Sequence, residues 1–296
     1  MPLVRPTSLL SSLTTLRLGG RAAAEFRLDS EDDLDACGKR ISSLGLPVHV
    51  LGGGSNILAC DGELPLLLVR PNFRQHPEIL GEEGDKVIVR AGASVRLPHL
   101  LARCAGWGLS GFEGLTGIPG TVGGAVAMNA GACGCEIVPL LHSLRIWSPG
   151  KGLQDISPGQ WEFAYRYFGL TEVEEYFFII STSFCLTRAS SNGIRECMRL
   201  NYFKKKSTQP VLAWSAGCAF MNPSPESSAG KLLDEAGFKG KRLGGMAFSP
   251  LHANFLVNEG QGSADAALEL LAQAREAVQR RNGVNLQLEI KVLPCS

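Results

Sequence analysis

The chain has 296 residues, a length that allows roughly two domains. Its 29 basic and 28 acidic side chains leave a formal charge of +1, so there is no electrostatic footprint for nucleic acid and no polybasic argument for an anionic membrane. Apolar residues make up 45%, enough for packed cores, yet the longest apolar runs (LPLLLV and YFFII) fall far short of the ~20 residues that span a bilayer.

The N-terminal stretch MPLVRPTSLLSSLTTLRL is interrupted by Pro and Ser and lacks an apolar core with a small-residue cleavage site, so a cytoplasmic protein is expected. AAEFRL then alternates as a strand ending near Leu28. Ser30 is placed to cap a helix over EDDLDACGKRISSLG, which Gly45 closes. PVHVL is a short strand running directly into GGGSN. LPLLLVR and KVIVRAGA read as two further strands, and Ser94 as the start of a helix over VRLPHLLARCAGWG. The order βαβββα predicts an α+β or α/β unit.

Residues 108–134 are too glycine-rich for regular structure throughout, although TVGGAVAMN can hold a short helix. LHSLRIWSPGKG reads as a strand and turn, and YFFIISTSFCLTR as a long strand. Near residue 190 the texture changes to a basic helix, GIRECMRLNYFKKKS, stopped by TQP. AGKLLDEAGFKG is a short helix and HANFLVN a strand. In SADAALELLAQAREAVQRRNG, Ser263 caps a long helix that ends at Asn282-Gly283, and LQLEIKVL is a terminal strand. Its alternation puts Leu286, Leu288 and Ile290 on one face and Gln287, Glu289 and Lys291 on the other.

Nine cysteines, an odd number in a long chain, argue against a disulfide framework. They are Cys37, Cys60, Cys104, Cys133, Cys135, Cys185, Cys197, Cys218 and Cys295, most of them expected to be reduced core or surface thiols. CGC at 133–135 is too tight for a zinc knuckle, His49, His76, His99 and His142 form no ligand set, and no metal is expected. The 35 glycines concentrate at 52–54 and 106–134. In LGGGSN, successive N–H groups can converge on an anion, with Ser55 and Asn56 as extra donors, although alone the segment reads equally well as a tight turn. GIPGTVGGAVAMNAG adds a Pro-Gly turn, Thr121 at a helix start and slim residues that admit a flat ring. Two such clusters in one chain favour a dinucleotide or flavin site.

LRLGG, LGGGSN, GLTGIPGTVGGAVAMNAGACG, FAYR, SAGCAFMNP, AGKLLDEAGFKG, HANFLVN and LEIKV follow one another in a familiar order and spacing. Over nearly its whole length the chain resembles the UDP-N-acetylenolpyruvoylglucosamine reductases, in the compact subtype without an extra tyrosine loop. Tyr176 is the nearest candidate for that tyrosine, but it reads as strand and is not assigned. The resemblance implies an α+β protein. A two-subdomain FAD-binding fold of the vanillyl-alcohol oxidase type (1–70 and 71–195) precedes an α+β substrate-binding domain (196–285), and a terminal strand (286–296) returns to the active site. It implies FAD and NADPH as cofactors, UDP-N-acetylglucosamine-enolpyruvate as substrate, and no nucleic acid, membrane or obligate protein partner.

By the same resemblance Gly52, Gly53, Gly54, Ser55 and Asn56 hold the FAD pyrophosphate. Ile118, Pro119, Gly120, Thr121, Gly123, Gly124, Ala125, Asn129 and Gly131 line the rest of the cofactor. Arg166 faces the substrate carboxylate, where a guanidinium makes two parallel hydrogen bonds. Glu289 is the carboxylic partner, expected to stay protonated through a raised pKa. Cys218 stands where the family usually has a serine that donates a proton to the enolate carbon. Asn222 is expected near the diphosphate, beside Met221 where the family commonly has lysine, and His252 near the nucleotide. Two rival readings stay open: an FAD-dependent oxidase of the same fold, and a flavin or nucleotide binder without catalysis.

Overall fold

The structure is a computed structural model that describes residues 7–172 and 176–294. Cys295, the first residues of the N-terminal stretch and the end of the expected terminal strand lie outside that range. The backbone groups into two compact units that do not follow consecutive blocks of sequence. The first comprises Ala24–Gly53 and Leu67–Lys204; the second takes described residues 7–23, Gly54–Leu66 and 205–294. Among the described residues, no helix is long and apolar enough to cross a membrane.

Val48–Val50 runs parallel to Leu67, Leu68 and Val69 of strand Glu63–Pro71, in a three-stranded sheet with Arg21–Leu28. Helix Leu34–Leu44 covers it, burying Leu34, Cys37 and Ile41 with Phe26, Leu28, Leu67 and Val69. Its amphipathic spacing was legible, and Ser30 does accept a hydrogen bond from the Asp32 amide at 3.2 Å. The cap starts a 3-10 turn, Glu31–Asp33, that leads into the helix.

A larger antiparallel sheet has Phe178–Arg188 at its centre, flanked by Leu141–Ser148 and Lys86–Gly92. Its outer strand, Glu78–Glu83, carries charged, exposed side chains and shows no apolar alternation. Helices Leu97–Gly106 and Val122–Ala127 pack on this sheet through Leu97, Leu100, Leu101, Val122 and Val126. Ser94 does not cap the first of them; its hydroxyl donates to the Pro71 carbonyl at 2.8 Å, and the helix begins three residues on at Leu97.

The second unit is a four-stranded antiparallel sheet in the order Trp214–Cys218, Phe255–Asn258, Met246–Phe248, Arg242–Leu243. Helices Ala229–Glu235 and Ala264–Asn282 bury Leu232, Leu233, Leu270, Leu271, Ala274 and Val278 against it. Ser263 caps the long helix by accepting from the Ala266 amide, and Gly283, at φ +70°, closes it.

The expected strand over LQLEIKVL is a correction: only Lys291–Leu293 is a strand, parallel to Ile57–Ala59. Before it the chain makes one isolated antiparallel bridge, Phe220 to Leu288, and Leu288 is exposed while Leu286 and Ile290 are buried. Period-two alternation fails because residues 286–290 belong to no sheet. Among the described residues Cys37, Cys104, Cys133, Cys135, Cys185, Cys197 and Cys218 are free, in keeping with a chain that has no disulfide framework, while buried Cys60 is disulfide-bonded.

Candidate active site

The two glycine clusters meet in the first unit. A Cβ on Gly53 would lie 2.6 Å from the Gly120 Cα, and one on Gly52 would lie 2.5 Å from the Thr121 hydroxyl oxygen. Only glycine permits this approach of one backbone to another. Thr121 Oγ1 accepts from the Gly124 amide, while the Val122 and Gly123 amides donate to Val95 and Ala93 carbonyls. The first amides of that short helix are therefore engaged within the fold. Gly123 is buried, and a Cβ there would stand 2.8 Å from the Ala93 Cβ, so its absence of side chain seats the helix on the sheet.

Gly52 and Gly53 differ from that helix. Both are exposed, and their amides have no acceptor among the described residues. Consecutive unencumbered N–H groups in a bare loop suit a pyrophosphate. Pro119 and Gly124 are also exposed, and Ile118, Gly120, Thr121 and Gly131 are half-buried. A flat cofactor carrying a diphosphate fits this surface. Gly54, Gly123 and Ala125 are buried.

Arg166 sits at the tip of a hairpin that lacks any Gly, Pro or Asn to announce it. Trp161–Ala164 pairs with Tyr167–Leu170, leaving Tyr165 and Arg166 as the turn. Arg166 takes φ +59°, a left-handed conformation that costs a non-glycine residue about 1–3 kcal/mol and persists only when its surroundings enforce it. Its Nη2 donates to the Gly131 carbonyl at 2.9 Å, and its guanidinium carbon lies 4.8 Å from the centre of the Tyr165 ring. Asn129 has an unexpected place in this arrangement. It is 0% exposed, with Nδ2 donating to Glu136 Oε2 and to the Ala164 carbonyl, each at 3.0 Å, while Oδ1 accepts from the Val138 amide. With those groups engaged, the side chain clamps the fold.

In the second unit the SAGC stretch builds a bulge. Ser215 pairs with Val257 and Cys218 with Phe255, so one strand carries an extra residue. Gly217 takes φ +82°, and its amide donates to Ser215 Oγ at 3.1 Å. The bulge re-aims Cys218, whose side chain is half-buried. The next residue, Ala219, accepts from the Glu289 amide at 2.9 Å. Asn56 brackets Glu289: its Nδ2 donates to the Glu289 carbonyl at 3.0 Å, and its own carbonyl accepts from the Lys291 amide at 3.0 Å. Thr15, which no sequence signal marked, donates its hydroxyl to the Ser215 carbonyl at 2.6 Å and its amide to the Gly54 carbonyl at 3.1 Å. The thiol-bearing bulge, Glu289 and the Gly54–Asn56 loop thus form one hydrogen-bonded cluster.

Two expected substrate contacts have structural work in that unit. Exposed Asn222 accepts the Ala229 amide at 3.0 Å, tying down the start of helix Ala229–Glu235. His252 lies in a turn before the strand, and its Nδ1 accepts from the Asn254 amide at 3.2 Å. Burial, and then the charge of Lys239, pushes the His252 pKa below the ordinary histidine value. The unfolded chain therefore takes up this proton at higher pH than the folded chain does. Stability is full above about pH 6.5 and falls as the pH drops below it. Urea midpoints should decline on acidification from about pH 7.5 to 5.5, and less so in His252→Asn, whose Oδ1 can also accept the Asn254 amide. An equal decline in both would contradict this.

Exposed, unencumbered glycine amides in a chain that also carries a thiol on a bulge, a carboxylic acid beside it and an arginine on a strained turn are compatible with a flavin-dependent oxidoreductase. Residues 22–154 match the model of an FAD-binding domain, and residues 209–293 match that of the UDP-N-acetylenolpyruvoylglucosamine reductase C-terminal domain. The chain is 55% identical over 284 residues to the UDP-N-acetylenolpyruvoylglucosamine reductase of Nitratidesulfovibrio vulgaris, covering 96% of each. It is 48% identical to that of Oleidesulfovibrio alaskensis, covering 99% of each. The crystal structure of the UDP-N-acetylenolpyruvylglucosamine reductase from Thermus caldophilus superposes with a TM-score of 0.83 at 34% identity, over 99% of this chain and 100% of that one. The chain belongs to the UDP-N-acetylenolpyruvoylglucosamine reductase family and is an FAD-dependent oxidoreductase.

Proposed function

We propose that this chain reduces the enolpyruvyl ether of UDP-N-acetylglucosamine-enolpyruvate to UDP-N-acetylmuramate, using NADPH, in the cytoplasmic synthesis of peptidoglycan precursors. The observation that carries this reading is the bond from the Glu289 amide to the Ala219 carbonyl, which ties a carboxylic acid to the bulge that bears Cys218. FAD, when bound, supplies the hydride that NADPH provides to the terminal enol carbon. Hydride arrival there pushes negative charge toward the substrate carboxylate. Arg166 binds that carboxylate and stays charged throughout, so its attraction grows as the charge develops. Glu289, in its acid form, donates a hydrogen bond to the developing enolate. The Cys218 Sγ–H gives its proton to the carbon beside the ether oxygen, and the thiolate is reprotonated from solvent. A thiol is a readier proton donor than the serine hydroxyl usual in the family, because its ordinary pKa is about 8.5. Ser55, Asn56, Asn222 and His252 are assigned to cofactor and nucleotide contacts as above.

The purified protein is expected to be yellow. Under anaerobic conditions NADPH should bleach it, and the UDP-enolpyruvyl sugar should restore the colour stoichiometrically. Colour restored only by oxygen would make it an oxidase. A flavin that NADPH never bleaches would leave it a binder.

A further inference from the structure

The left-handed turn that presents Arg166 has no residue of its own that favours it, so something outside the turn must hold it. We propose that Asn129 is the positioning residue for Arg166, acting through the Ala164 carbonyl; this rests on the reductase reading above. Three observations carry it. Asn129 is itself left-handed, at φ +43°, a conformation asparagine tolerates better than most residues. It is completely buried, and its carboxamide reaches three separate segments: Ala164 before the turn, Glu136 in the small hairpin that follows, and Val138 beyond it. The same small hairpin, where Gly131 pairs with Glu136, supplies the carbonyl that receives the Arg166 guanidinium. Asn129 therefore fixes both ends of Arg166: the backbone that launches it and the strand that receives its head.

The donor pattern makes the inference testable. Asn129 gives one N–H to a carboxylate and the other to a backbone carbonyl. In Asn129→Asp both acceptors face a carboxylate. Adding Glu136→Gln restores a donor to the hairpin side, because the new carboxamide can donate to the new carboxylate, but the Ala164 carbonyl still lacks one. Asn129→Asp/Glu136→Gln should thus regain thermal stability and yet lose about 10²-fold in kcat/KM for the UDP-enolpyruvyl sugar, measured per bound flavin, the scale of an ~1 Å misplacement. In an Arg166→Ala background the same pair of changes should cost less than about 2-fold more, because the residue it positions is gone.

Full recovery of kcat/KM in the double variant would overturn the proposal and make Asn129 a clamp for the small hairpin alone. Losses that multiply in the Arg166→Ala background would overturn it too. If Asn129→Asp/Glu136→Gln fails to fold, Asn129→Gly is read in the same cycle, since glycine accepts the left-handed backbone and removes the clamp. A wild-type protein that does not turn over the sugar would defeat the reductase reading instead, and that result is separate from either outcome of the cycle.

Discussion

Cys218→Ala should lose about 10²–10⁴-fold in turnover of the UDP-enolpyruvyl sugar, the usual contribution of a positioned general acid, while NADPH still bleaches its flavin at the wild-type rate. The split follows from where the thiol stands. Cys218 lies in the second unit on a bulge formed by Ser215 and Gly217, and its neighbour Ala219 is bonded to Glu289. It is not part of the Gly52–Gly53 and Gly120–Thr121 approach. Alanine keeps the backbone of the bulge and fills nearly the same space, so the flavin content should not change. The hydride-accepting half of the cycle needs no proton on carbon, and the substrate half does. Rapid mixing of the NADPH-reduced variant with the sugar, without oxygen, reads the substrate half directly. Loss of both halves in a folded, flavin-loaded Cys218→Ala would remove the thiol from its assigned step. Cys218→Ser should restore much of the lost rate, because a hydroxyl in that position is the donor the family ordinarily uses.

Gly53→Ala should raise the FAD dissociation constant about 10–100-fold and yield a largely colourless protein. A Cβ at Gly53 would sit 2.6 Å from the Gly120 Cα and 3.2 Å from the Gly120 carbonyl carbon, both backbone atoms that no rotamer change can move aside. Relieving such overpacking costs about 1–3 kcal/mol, and each ~1.4 kcal/mol is tenfold in affinity. The shift must separate the two segments that flank the exposed amides of Gly52 and Gly53. Gly193→Ala is the control: a Cβ there meets nothing nearer than 3.9 Å, and that variant should stay yellow. Isothermal titration of apoprotein with FAD measures both. A Gly53→Ala protein that binds FAD as the wild type does would show that this loop does not carry the cofactor.

Where periodicity and caps spoke clearly, the fold could be read from the residues. Helix Ala264–Asn282 starts at its serine cap and stops at its glycine as expected, and the two glycine clusters approach each other. The features that escaped did so for physical reasons. The Arg166 hairpin turns on Tyr165 and Arg166, neither of which prefers a turn, because Asn129 holds it from outside. Glu78–Glu83 is an exposed edge strand without an apolar face. The segment 286–290 imitates strand alternation, but its partners are isolated backbone contacts, so Leu288 faces solvent. Thr15 carries no local signature, since its importance lies in joining Gly54 to Ser215. Asn129 enters the sequence reading only through the resemblance; its hydrogen bonds to Glu136, Ala164 and Val138 join segments that no local pattern connects.

The most direct measurement is the pH dependence of the substrate-reducing step in wild type and Cys218→Ser, each pre-reduced and mixed with the UDP-enolpyruvyl sugar. A thiol must be protonated to donate, so the wild-type rate should fall as the pH rises through its pKa, ordinarily about 8.5, while the serine variant, with a far higher hydroxyl pKa, holds its rate. Alkaline limbs that coincide in the two proteins would mean that some other group delivers the proton.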